Sequence, residues 1–158
     1  MPDVNVPNFG ELLSPFIGAV PEHAVPNFLA LLERGAAQRY RVWAEQLPDF
    51  REGLIKCADS EDEIATIVER IFPIDSALAE EIKTPLPAAR DTYYEVFERY
   101  SIVEQLAIQA DAELQGAGAW EAMLSDELPA EVSEGLQTCM KLEKASSAYL
   151  YSVIDQLT

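Results

Sequence analysis

With 158 residues, 49% of them hydrophobic, the chain is long enough for one domain with a full core. Lys+Arg number 11 against 28 Asp+Glu, a formal net charge of −17 that would repel a phosphate backbone or an anionic membrane face, so nucleic acid and membrane are excluded as expected partners. No run approaches the ~18 apolar residues of a membrane span, and MPDVNVPNFGELL places no basic stretch ahead of an apolar one; the expectation is a cytoplasmic protein without a cleaved signal.

Prolines punctuate the chain. Pro2, Pro7, Pro15 and Pro21, with Pro26 just beyond, make residues 1–24 an extended, proline-rich arm with one short helix over Phe9–Ile17. From Val25 to Leu47 the pattern is helical, with Leu29, Glu33, Ala36, Tyr40, Trp43 and Leu47 recurring at alternating four- and three-residue steps. Pro48 marks the break before a second helix over about Asp49–Phe72, whose seam reads Leu54, Ala58, Glu61, Ala65, Val68 and Phe72. So short a connection makes the two an antiparallel hairpin.

A longer stretch follows, with a short helix expected over Ser76–Lys83 between prolines. A third long helix is expected from Ala88 or Ala89 to at least Leu114, its face carrying Tyr93, Phe97, Tyr100, Glu104, Ala107 and Leu114, and GAGAWEAML loosening or ending it. The fourth opens near Pro129 and runs to Leu157 on the seam Val132, Leu136, Cys139, Glu143, Ser146, Leu150, Val153 and Leu157. No stretch of comparable length alternates with period two. Residues 25–158 therefore read as an all-α four-helix bundle of two antiparallel hairpins, with a long crossover between the second and third helices; this is the ferritin-like topology.

Glutamates interrupt the apolar seams. Glu33, Glu61 and Glu143 fall on stripes that should face the core, and Glu104 lies at the edge of the third. An unpaired buried carboxylate costs several kcal/mol and is relieved by protonation, a hydrogen-bonded partner or a cation. Glu33 lies about fourteen residues before the first turn and Glu61 about thirteen after it, which at ~1.5 Å per residue sets them level. The same reckoning sets Glu104 level with Glu143, so four carboxylates are expected to converge in the bundle centre.

This arrangement resembles the ferritin-like, rubrerythrin-like di-iron carboxylate proteins over Pro26 to Leu157. ERGAAQRYRVWAEQ, from Glu33, is similar to their first ligand helix, where a metal-binding glutamate precedes a tyrosine by two turns; CADSEDEIA, from Cys57, is similar to their second. The resemblance implies Glu33, Glu61, Glu104 and Glu143 as ligands of an iron or manganese pair, oxygen or peroxide chemistry, and association of helix faces into a homodimer. The pattern departs where the family places histidines: the residues three after Glu61 and Glu143 are Ile64 and Ser146, and the single histidine, His23, precedes the bundle. An oxygen-only donor set favours manganese, magnesium or calcium while permitting iron.

Two further readings stay open. In one, the bundle is an interaction module without metal, its glutamates protonated or hydrogen-bonded to Tyr40, Tyr100, Ser146 and Tyr149. In the other, a rotation of about 100° moves each glutamate onto a solvated face.

GLIKCADSE, from Gly53, and GLQTCMKLE, from Gly135, share glycine, leucine, cysteine and glutamate at identical offsets. Read as equivalent ligand helices related by an internal pseudo-two-fold, they place Cys57 and Cys139 on opposite sides of the site, with no disulfide. Their spacing matches no zinc pattern, and they read as buried thiols of a reducing compartment. The aromatic run Tyr93, Tyr94, Phe97 and Tyr100, with Trp43 and Trp120, reads as packing. The acidic stretch from Asp111 to Glu134 is a solvated face or a docking patch for a basic protein. No glycine-rich phosphate loop or nucleophile–base pair is present.

Overall fold

The computed structural model describes residues 2–158, and every regular element among them is helical. The elements are α1 (Phe9–Ile17), α2 (Val25–Gln46), α3 (Arg51–Ile71), α4 (Ser76–Glu81), α5 (Leu86–Glu95), α6 (Ile102–Ala122) and α7 (Ala130–Leu157). Their ends follow local chemistry. Asn8 and Asp75 accept from backbone N–H groups at Glu11 and Leu78 and so start α1 and α4. Pro26 presets the first turn of α2, and Pro48 opens a 3-10 turn that leads into α3. At the far end of that hairpin, Asn27 Nδ2 donates to the Phe72 carbonyl at 2.8 Å and satisfies an oxygen that α3 leaves free.

One element differs from expectation. The third helix is broken: α5 ends at Glu95, residues 96–101 turn, and α6 begins afresh at Ile102. Ser101 accepts from the Glu104 N–H while the Glu104 carboxylate accepts from the Ser101 N–H, a reciprocal capping box that starts α6 there. Gln105 Nε2 bridges the Phe97 and Tyr100 carbonyls at 3.0 Å each and holds the turn. Further along, α6 runs without interruption through Gly116 and Gly118, where loosening was expected.

The long helices pair as α2 with α3 and α6 with α7, and α3 packs on α7 between the pairs. The α3–α7 contact is antiparallel, since Gly53 lies against Tyr149 while Gly135 lies against Ile67 and Ile71. The connection carrying α4 and α5 crosses from one pair to the other, and α1 packs on α5.

Two apolar clusters fill the bundle. Trp43, Leu54, Leu106 and Leu150 belong to one, Ile64, Val68, Trp120 and Leu136 to the other. Each large apolar side chain so buried stabilises by roughly 1.5–3 kcal/mol. Tyr40, Trp43 and Phe97 stack edge to face in the first cluster, at 5.4 and 5.5 Å between ring centres. Cys57 lies in the first cluster and Cys139 in the second, both as free thiols. No helix among the described residues is long and apolar enough to cross a membrane.

Candidate metal centre

Glu61 and Glu143 are each only 1% exposed, and Glu113 is 2% exposed. Glu33 is half-buried and is the most accessible of the four. Carboxylate oxygens of Glu33, Glu61 and Glu143 all lie within 4.8 Å of one another. Glu113 joins them from α6, close enough to Glu143 to share a proton, as Glu33 is to Glu61. The cluster thus draws one carboxylate from each of α2, α3, α6 and α7.

Glu104 is not among the four. It is spent on the capping box at the start of α6, and Glu113, about two and a half turns further on, occupies the place expected of it. The depth of Glu104 was counted back from a helix end expected near Gly116, whereas α6 runs on to Ala122, which moves the level position further along the chain. A signal for Glu113 did exist: Glu33 precedes Tyr40 by the same spacing that separates Glu113 from Trp120.

The surroundings hold these carboxylates unevenly. Tyr40 Oη donates to Glu113 Oε1 at 2.7 Å, and Gln109 Nε2 donates to the same oxygen at 2.9 Å. Tyr93 Oη in turn donates to Gln109 Oε1 at 2.6 Å, which orients the amide. Both oxygens of Glu61, Oε2 of Glu113 and Oε2 of Glu143 are buried with no partner. A Cβ at Gly116 would overlap the Glu143 carboxylate, so α6 leaves room for that group by lacking a side chain.

The other expected neighbours lie elsewhere. Tyr100 Oη accepts from Arg99 in the turn before α6, and Tyr149 Oη donates to the Phe50 carbonyl at 3.2 Å, at the end of the bundle. Ser146 is buried beside the Cys57 thiol. His23 is exposed in a short 3-10 turn before α2.

Burial dominates the protonation of the cluster. It pushes Glu33 up to about 7, with the Glu113 charge adding to the shift and contacts with Glu61 and Glu143 opposing it. Glu61 and Glu143 are driven well above the ordinary carboxylate range by burial and then by their neighbours' negative charge. The same two causes raise Tyr40, which stays a neutral donor. The Cys57 and Cys139 thiols are each pushed up to about 12, chiefly by burial, so neither offers a thiolate ligand.

The donor set therefore fits a hard cation. It consists of oxygens at close range, four of them buried without a hydrogen bond, in a cluster whose mutual repulsion a positive charge would relieve. No protein-family model matches the chain, and neither a curated protein nor a solved structure matches it.

Proposed function

We propose that the chain is a metal-binding protein of the ferritin-like type, holding one or two divalent cations through Glu33, Glu61, Glu143 and Glu113. The observation that carries this reading is Glu61: a carboxylate 1% exposed, level with two others, whose oxygens meet no donor other than those neighbouring carboxyls. A buried, unpaired carboxylate costs several kcal/mol, and a cation shared with its neighbours offsets that cost. The pairing of α2 with α3 and α6 with α7, joined by a long crossover, supports the ferritin-like arrangement.

The all-oxygen donor set favours manganese, magnesium or calcium and admits iron. Manganese or iron would supply redox chemistry, which makes oxygen and peroxide the first co-substrates to assay. Tyr40 donating to Glu113 favours the second reading, an interaction module without metal. That bond satisfies one oxygen of one glutamate and leaves Glu61 with only its neighbouring carboxyls as partners.

Elemental analysis of untagged protein, beside the Glu61→Ala/Glu143→Ala double variant, tests the proposal. Near-stoichiometric manganese or iron that the folded variant lacks is the expected result. A folded wild-type protein that takes up no divalent metal overturns it.

A further inference from the structure

All four carboxylates line a cavity of about 400 Å³. Small-molecule pockets span ~300–1,000 Å³, and this one is likewise mainly apolar. Phe9, Leu13 and Ile17 of α1 line it together with Leu29 and Leu32 of α2 and Trp120 of α6. Helix α1 is fixed over the space from outside: Phe9 N–H donates to Gln115 Oε1 at 2.8 Å, and Gln115 Nε2 donates to the Pro7 carbonyl at 3.0 Å. The segment read as an extended, proline-rich arm thus contributes lining residues to the pocket.

The lining restricts what can enter. Among the described residues no lysine, arginine or histidine borders the cavity, so an anionic end group would meet four glutamates with nothing to offset it. A strongly hydrated body would lose its water against aliphatic walls. Exposed Gly10 and Ala119 border the cavity from α1 and α6, where their small side chains leave an opening.

We propose that this cavity binds an uncharged aliphatic alcohol, its chain against α1 and α2 and its hydroxyl at the glutamates. A hydroxyl suits this floor in either state, donating to a carboxylate oxygen or turning its lone pair toward a cation. The placement of that polar end rests on the metal-site reading proposed above. The apolar walls do not depend on it.

Titration calorimetry of the full chain with 1-octanol, with and without manganese, tests the assignment. Saturable one-site binding with a negative heat-capacity change is expected, because apolar surface is buried. The Ala112→Phe variant, which fills the cavity from α6 and leaves all four glutamates in the sequence, should bind at least tenfold more weakly while keeping its metal content. Ala119→Trp at the exposed rim serves the same purpose if Ala112→Phe does not fold. Absence of saturable binding to wild-type protein, undiminished binding by a folded cavity-filling variant, or octanoate binding to the metal-free protein as tightly as octanol each overturns the proposal. Metal content measured on the same samples separates the two ideas: metal without octanol binding leaves only the metal site standing, and octanol binding without metal leaves only the cavity.

Discussion

The Glu143 carboxylate occupies the space that a side chain at Gly116 would fill. Gly116 lies inside α6, where glycine costs ~1 kcal/mol relative to alanine, so Gly116→Ala sets helix propensity against the position of Glu143. The metal-free variant is expected to unfold within ~1 kcal/mol of wild type. Its manganese affinity should fall at least tenfold, because the carboxylate must turn away. Parallel denaturant melts and metal titrations measure both, and an unchanged affinity would show that Glu143 is not a ligand.

Tyr40→Phe removes the hydroxyl that donates to Glu113 and leaves Gln109 as the remaining donor to that oxygen. Hydrogen bonds to charged groups contribute ~1.5–3 kcal/mol, so a loss of that order in metal-free urea unfolding is expected. A loss near zero would mean that Glu113 finds a new partner.

Metal-free and metal-loaded protein should respond oppositely to pH. The carboxyls titrate near 4.5 when unfolded, whereas folded Glu33 titrates at about 7 and burial drives Glu61 and Glu143 well above the ordinary carboxylate range. The folded chain then binds more protons than the unfolded chain, so the stabilisation is full below pH 4.5 and is lost as pH rises through about 7. Metal requires the deprotonated form, and its affinity should climb over that range. Thermal midpoints of chelator-treated and manganese-loaded samples should lie close together at about pH 5 and far apart at about pH 8. Parallel curves would contradict both the burial of the cluster and its occupant.

Glu104 and Glu113 separate a structural role from a ligand role on one helix. Glu104→Ala should cost about 0.3–1.5 kcal/mol through loss of the capping box and leave metal content unchanged. Glu113→Ala should lower metal content. Reversal of that pattern in elemental analysis would restore Glu104 as the ligand.

Two glycines predict opposite stability changes. A Cβ at Gly53 would overlap the Tyr149 ring, and overpacking of this kind costs roughly 1–3 kcal/mol. Gly118 faces open space about one turn before the end of α6, so Gly118→Ala should stabilise by up to ~1 kcal/mol. Chemical denaturation of the two variants decides whether these contacts have the assigned sign.

Helix boundaries were most legible where a proline stood beside an apolar period. α1 spans Phe9–Ile17 as read, and α2 and α7 end within a residue or two of expectation. The break before α6 was hidden because Tyr93, Phe97 and Tyr100 keep a helical spacing across it, although Ser101 and Glu104 spell a capping signal in the sequence. Glu33, Glu61 and Glu143 were readable as seam carboxylates because their own helices are continuous. Glu113 was missed through the register error that brought Glu104 forward. The docking of α1 was not readable at all, since it depends on Gln115, a hundred residues away in sequence, meeting the backbone at Pro7 and Phe9.

Gly53 packs on Tyr149 and Gly135 on Ile67, and these pairs exchange places under the same numerical shift that carries Cys57 to Cys139 and Glu61 to Glu143. The α3–α7 contact therefore has the form of an isologous dimer interface folded into one chain, with each patch meeting its own counterpart. Sliding one helix by a turn would place both glycines beside the wrong partners and pull both glutamates off level together. Alignment across this contact is checked twice, once at each end, and the carboxylates lie between the two checks.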